Sequence, residues 1–128
     1  MTQPTTAVQL RVAWVKARSG GWCQLNTVDL GHEALKVKGV YIIWCGPTDK
    51  EKSAVVYIGQ GAVNERLADH RDDPRIQKYA NRGLSVTWAT VEATKRDGVE
   101  AYLSNRYAPL VGERRPAATP IRVNSPWD

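Results

Sequence analysis

Apolar and polar positions change period along this chain, and the changes mark out six elements in its central part. Residues 39–45, GVYIIWC, are rich in β-branched and aromatic side chains, and a second such run, AVVYIG, follows at 54–59 after the turn-forming stretch GPTDKEKS. Two such runs joined by a polar loop predict an antiparallel hairpin. The spacing then becomes helical over 62–72, where Val63 and Leu67 mark a buried stripe, and stops at Pro74; PRIQKYANRG reads as a second short helix ended by Gly83. Strand character returns in LSVTWATVE, residues 84–92. Thr94 can cap a final helix whose apolar positions Val99, Leu103, Tyr107 and Leu110 recur every three or four residues until Pro109 interrupts. The order is β-β-α-α-β-α, which predicts an α+β fold.

The ends are less regular. Residues 1–38 hold a candidate strand around VQLRVAWVKA, the turn SGG, and a stretch, WCQLNTVDLGHEALKVK, whose pattern fixes no class. They are too few for a second domain, so the expectation is a single domain over 1–128, with 1–38 an extension packed on a core of 39–127. The proline-rich tail GERRPAATPIRVNSPWD should run irregularly over the surface. No internal repeat or low-complexity segment is visible.

Composition changes this picture little. At 128 residues, 42% hydrophobic and 24% charged, the chain matches an ordinary globular protein, and no apolar stretch is long enough to span a bilayer. The start, MTQPTTAVQL, has neither a basic leader nor an apolar segment, so the expectation is a cytoplasmic protein with no membrane partner. Cys23 and Cys45 belong to no Cys/His cluster and read as reduced packing residues. The net charge of +5 favours polyanionic partners. More pointedly, Arg66, Arg71, Arg75, Lys78 and Arg82 fall in one stretch after the second tyrosine, either a nucleic-acid-binding surface or a solvated helical face.

Four further features carry candidate chemistry, and each has a plain alternative. At 100° per residue Arg66 and His70 share one edge of their helix, so they either reach the same half-buried point or form an ordinary surface pair. Glu100 sits at the margin of the last helix's apolar stripe, facing water or looking into a cleft. Asn124, before Ser-Pro, is either a site residue or a turn former. Gly59-Gln60-Gly61 at a strand-to-helix junction has the look of a phosphate-cradling loop, but GxG alone is a weak signal.

Taken together, Gly39-Val40-Tyr41, Tyr57-Ile58-Gly59, Arg66 and His70 four apart, Glu100 on a later helix, and a closing asparagine form an ordered set. This set resembles the GIY-YIG nuclease family over roughly residues 38–127. The family's fold, a small three-stranded antiparallel sheet flanked by helices, agrees with the plan read from periodicity. The first motif departs from the family pattern by one methylene, Val40 for Ile. The asparagine departs further: Asn105 follows Glu100 by five positions and Asn124 by twenty-four. Asn124 is preferred, on the expectation that Asn105 is buried in its helix while a returning tail can deliver a side chain to a cleft.

The resemblance implies a metal-dependent endonuclease that hydrolyses DNA, with Tyr41, Tyr57, Arg66, His70, Glu100 and Asn124 catalytic. Glu100 would hold one Mg²⁺ or Mn²⁺, since the motif set offers one carboxylate and Mg²⁺ typically keeps several waters. Arg66 would stabilise charge on the phosphate. One tyrosine would deprotonate the attacking water and the other orient it, with His70 either lowering the phenol's pKa or accepting its proton. Arg71, Arg75, Lys78 and Arg82 would bind the nucleic acid backbone, and specificity would come from core loops, a homodimer or a partner protein. The alternatives are a GIY-YIG-like module that binds nucleic acid without cutting it and an interaction protein with an accidental motif match.

Overall fold

Strands with a two-residue side-chain period need two faces to bury, and here one sheet is covered on both. The computed structural model describes residues 9–112 and 117–127. Residues 1–8, most of the segment read for a leader, lie outside it, as do 113–116 and 128 of the tail. Four antiparallel strands, β1 (Cys23–Gln24), β2 (Lys38–Cys45), β3 (Ala54–Ala62) and β4 (Leu84–Thr90), pair in the order β1-β4-β2-β3. Three helices, α1 (Val63–Arg71), α2 (Pro74–Gln77) and α3 (Ala93–Tyr107), and single 3₁₀ turns at Glu33–Leu35 and Ala80–Arg82 complete the fold.

The α+β class and the order of the central elements follow the periodicity, but the sheet has four strands where three were expected. β1 is two residues long, pairing Cys23 with Val86 and Gln24 with Ser85, and two residues offer no alternation to read. Conversely, the alternation in Leu10, Val12 and Trp14 marks no named strand. Those side chains do pack one face of the sheet together, yet among the described residues the segment's one bridge is Leu10 with Val123. An extended chain laid across a sheet needs the same alternation as a strand within it. The helix ends differ too. α3 begins at Ala93 with Glu92 in the capping position, so Thr94 lies inside the first turn, and it ends through Ala108 in a left-handed conformation, φ 44°, one residue before Pro109.

Alternation along β2 divides the core. Tyr41, Ile43 and Cys45 join Val63, Leu67 and Ile76 under α1 and α2, while Val40 and Ile42 join Val99, Leu103 and Val123 under α3 and the returning tail. Residues 9–37 contribute to both layers, with Leu25 and Leu35 buried in the first. In β3 the register slips between the pairs Ile43–Tyr57 and Trp44–Val55, leaving Val56 as the extra residue of a bulge. A one-residue slip reverses which face later side chains take, so the bulge delivers Tyr57 to the face that holds Tyr41.

Two glycines permit close approaches. A Cβ on Gly59 would overlap the hydroxyl of Tyr41, whose ring crosses its cross-strand partner there. A Cβ on Gly98, inside α3, would strike Ile121 and the carbonyl of Thr119, where the tail docks by an Ile121 N–H bond to the Gly98 carbonyl at 2.9 Å. Among the described residues no helix is long and apolar enough to cross a membrane.

Candidate active site

The site forms around Gly59–Gly61 on β3, which is an edge strand. Tyr41, from β2, is fully buried, and its ring lies nearly parallel to that of Tyr57, with centroids 6.1 Å apart and 13° between planes. α1 starts where β3 ends, so its inward face returns over these rings. Its stripe of Val63, Leu67 and His70 is buried, with Arg66 at the edge. The His70 ring sits 4.4 Å from that of Tyr57, and its Nε2 lies 2.7 Å from the Tyr41 hydroxyl. Arg66, one turn earlier, lies within electrostatic range of both phenols. The half-buried point that Arg66 and His70 share is therefore the Tyr41 oxygen.

α3 supplies the acid. Glu100 is only 9% exposed, so the cleft alternative holds over the solvent one. Gln60 turns to the α3 face, donating from its amide to Asp97 Oδ1 at 2.7 Å, one helical turn before Glu100. Glu100 also lies within electrostatic range of Arg66 and Tyr41, which joins the two halves of the site across the β3 edge. Gly59-Gln60-Gly61 is thus part of β3, paired with Tyr41, Val40 and Gly39, and not a phosphate-cradling loop.

Burial controls the protonation states. It drives the Tyr41 phenol well above its ordinary pKa, with the neighbouring Tyr57 adding to the rise and Arg66 opposing it. Burial, helped by the Arg66 charge, lowers His70 to about 4. His70 is therefore a neutral imidazole at physiological pH, and its Nε2 can accept a hydrogen bond from the Tyr41 hydroxyl. Of the two roles foreseen for His70, a cationic His70 lowering the phenol is the one its burial disfavours. Burial also raises the Glu100 carboxyl, with the Asp97 charge adding to the rise and the nearby Gln60 amide and Arg66 charge opposing it.

The basic stretch disperses. Arg71 spends its guanidinium on the carbonyls of Leu25 and Val28 and Arg82 on those of Gly46 and Lys52, so these two anchor loops. Arg75 pairs with Asp73 at 3.0 Å, beside the α2 cap, and Lys78 lies over the Tyr79 ring. A helical arginine within reach of a neighbouring loop cannot be told from a solvated one by spacing alone.

Asn124 also has other employment. Its Oδ1 accepts from the Val12 N–H at 2.7 Å and its Nδ2 donates to the Val12 carbonyl at 3.0 Å, fastening the N-terminal segment to the tail. Asn105, expected to be buried, is exposed on α3. Asn124→Ala should cost about 1–3 kcal/mol, the usual penalty for stranding partly buried polar groups, read as a lower denaturant midpoint. A variant that kept its stability and lost activity would return Asn124 to the site.

Gln60 and Asp97 were not singled out by sequence. The available signals were strand parity, which turns Gln60 away from Tyr57, and the i,i+3 spacing of Asp97 and Glu100. Comparison with known proteins returned no matching family model, curated protein or solved structure.

Proposed function

We propose that the chain is a GIY-YIG-type endonuclease that hydrolyses DNA phosphodiester bonds using one divalent cation, Mg²⁺ or Mn²⁺. The observation that carries this reading is the buried Tyr41–His70 hydrogen bond, with Arg66 and the buried Glu100 carboxylate within electrostatic range of Tyr41.

The donor set fits such a cation. Glu100 is a buried carboxylate with the Asp97 charge within electrostatic range of it. A hard cation that keeps most of its waters suits that arrangement. When bound, the ion supplies Lewis-acid polarisation of the phosphate and the departing oxygen.

The chain's own residues do the rest. Arg66 receives a non-bridging phosphate oxygen and stabilises the charge growing there. The Tyr41 oxygen accepts a proton from water while its own hydroxyl proton passes to His70 Nε2, so no free phenolate is needed. His70 at about 4 is a weak acceptor in the free protein, and the Arg66 charge is one cause. A phosphate that neutralises Arg66 removes that influence, so substrate binding itself raises the basicity of His70. Tyr57, half-buried beside Arg66, orients water or phosphate. The neutral states of Tyr41 and His70 favour one other reading, a GIY-YIG-like module that binds nucleic acid without cutting it.

Incubation with supercoiled plasmid separates the two. The wild-type chain should give nicked or linear DNA with Mg²⁺ or Mn²⁺ and none with EDTA, and Arg66→Ala should be slower by about 10²-fold or more, the scale of one preorganised charge stabiliser. Shifted plasmid mobility without cleavage in either metal would favour the binding module. With Arg71 and Arg82 engaged in the fold, sequence preference would be set by surface loops, a second copy or a partner protein.

A further inference from the structure

We propose that the aromatic cleft beside Trp127 is a cradle for an unpaired nucleobase of the DNA strand held in the active site; the inference rests on the nuclease reading above. The cleft, of about 370 Å³, is lined by Trp44, Ser53, Ala54, Val55, Tyr107 and Trp127, none of them charged. Trp127 packs edge-on against Trp44, with centroids 5.0 Å apart and 88° between planes, and against Tyr107 at 5.3 Å and 84°. Such perpendicular contacts fix the rings relative to one another without covering them. Trp127 stays 41% exposed, and Leu110, the other large exposed apolar residue among those described, is bonded through its N–H to the carbonyl of Val55 on the cleft wall. An apolar patch that is fixed in place and left open marks a binding surface.

The fold builds the cleft in advance. Val123 is fully buried, Asn124 clasps Val12, and the Trp127 N–H donates to Ser125 Oγ at 3.1 Å, so the tail presents its tryptophan from a fixed turn. Three observations select a nucleobase as the occupant. The volume lies at the small end of ligand pockets, and the neutral aromatic walls suit one planar ring with its sugar. Cations flank it: exposed Arg106 lies over the Tyr107 ring, at 5.2 Å, and exposed Lys52 precedes Ser53. Of the carboxylates in that loop, Glu51 pairs with Arg82 and Asp49 is four residues from Ser53, so the rim suits the phosphates on either side of a base. Finally, Tyr107 lies two turns after Glu100 on one face of α3, about 10 Å along the axis, or roughly three stacked nucleotides at ~3.4 Å each. A strand cut beside Glu100 therefore reaches the cleft within a few nucleotides. Only an unpaired base can enter, because a paired base hides its faces in the stack.

Binding is measured on the full chain in EDTA, by fluorescence anisotropy of three labelled probes: a thymidine dodecamer, an abasic dodecamer with the same phosphates, and a blunt duplex of the same length. The wild type should hold the thymidine strand about 5- to 150-fold tighter than the abasic strand, the scale of one base–aromatic stack. Trp127→Ala should erase that preference while leaving the abasic strand and the duplex bound as in the wild type. Trp127→Tyr, which keeps a ring, should retain it. Thermal midpoints check folding; if Trp127→Ala melts early, Tyr107→Leu, which removes the other ring but not its apolar bulk, is scored in its place. Equal affinity of the wild type for thymidine and abasic strands would overturn the proposal, and so would an undiminished preference in Trp127→Ala. That second result, together with a wild-type dimer that the variant splits, would give the cleft to a second copy of the chain. Plasmid cleavage without any base preference sinks only this inference. Base preference without cleavage in Mg²⁺ or Mn²⁺ sinks the nuclease reading and leaves the cleft as the nucleobase site of a binding module.

Discussion

Glu100→Gln should abolish metal-dependent cleavage and at the same time make the folded chain more stable near neutral pH. The amide keeps the shape of the side chain but cannot carry the charge that holds a divalent cation, so turnover should fall by about 10³-fold or more, matching the several kcal/mol a Lewis acid contributes. The stability change has the opposite sign. Burial raises the folded-state pKa of Glu100, so the folded chain holds this proton more tightly than the unfolded chain does. The associated stability is present below the ordinary carboxylate range and is lost as pH rises through the raised folded pKa. At neutral pH the wild type carries that loss and the Gln variant does not. Thermal midpoints in EDTA should therefore be higher for Glu100→Gln at pH 7–8 and should converge with the wild type in acid. A lower midpoint at neutral pH would mean the carboxylate is satisfied as an ion without any cation, and the metal assignment would fall.

Burial, which sets the sign of that stability change, also decides which parts of the molecule were legible in the sequence. The hairpin, α1, β4 and α3 declare themselves because burying one face imposes a period, and the pairing of Arg66 with His70 follows from helical geometry alone. β1 was invisible because it has two residues, and the segment around Val12 resembled a strand because packing across a sheet demands the same alternation. Within the site, the bulge at Val56 lies beyond any pattern, yet it decides that Tyr57 faces Tyr41. The basic residues could not be sorted from sequence for a different reason. Arg71 and Arg82 find loop carbonyls that are distant in sequence, and a positive charge reads the same whether it meets a carbonyl or a phosphate. Protonation states were least legible of all, because His70 and Tyr41 are shifted mainly by burial, a property of the folded core.

The two phenols should separate sharply when each loses its hydroxyl. Tyr41→Phe strips the partner from His70 Nε2, on a residue only 5% exposed, and should cost about 1–3 kcal/mol of stability. Tyr57 is half-buried, so Tyr57→Phe should unfold at nearly the wild-type denaturant concentration. On turnover, Tyr41→Phe should lose about 10² to 10⁴, the range for a positioned acid-base group, while Tyr57→Phe should lose less and keep the wild-type pH dependence. That dependence has a defined acidic limb. His70 must be neutral to accept the Tyr41 proton, so kcat/KM should fall as pH drops toward its free-protein value of about 4. With a phosphate bound at Arg66, the corresponding limb in kcat should lie at higher pH, because the charge that lowers His70 is then neutralised. The same group erodes the fold in acid. Its depressed pKa supplies stability that is present above its ordinary value and lost as pH falls through about 4, in total about 3 kcal/mol, so circular dichroism must accompany the low-pH rates. If Tyr57→Phe suffered the larger loss and flattened the acidic limb, the base would be Tyr57. Near-normal rates in both variants would remove acid-base work from the pair, and the proton route from water through Tyr41 to His70 would have to be abandoned.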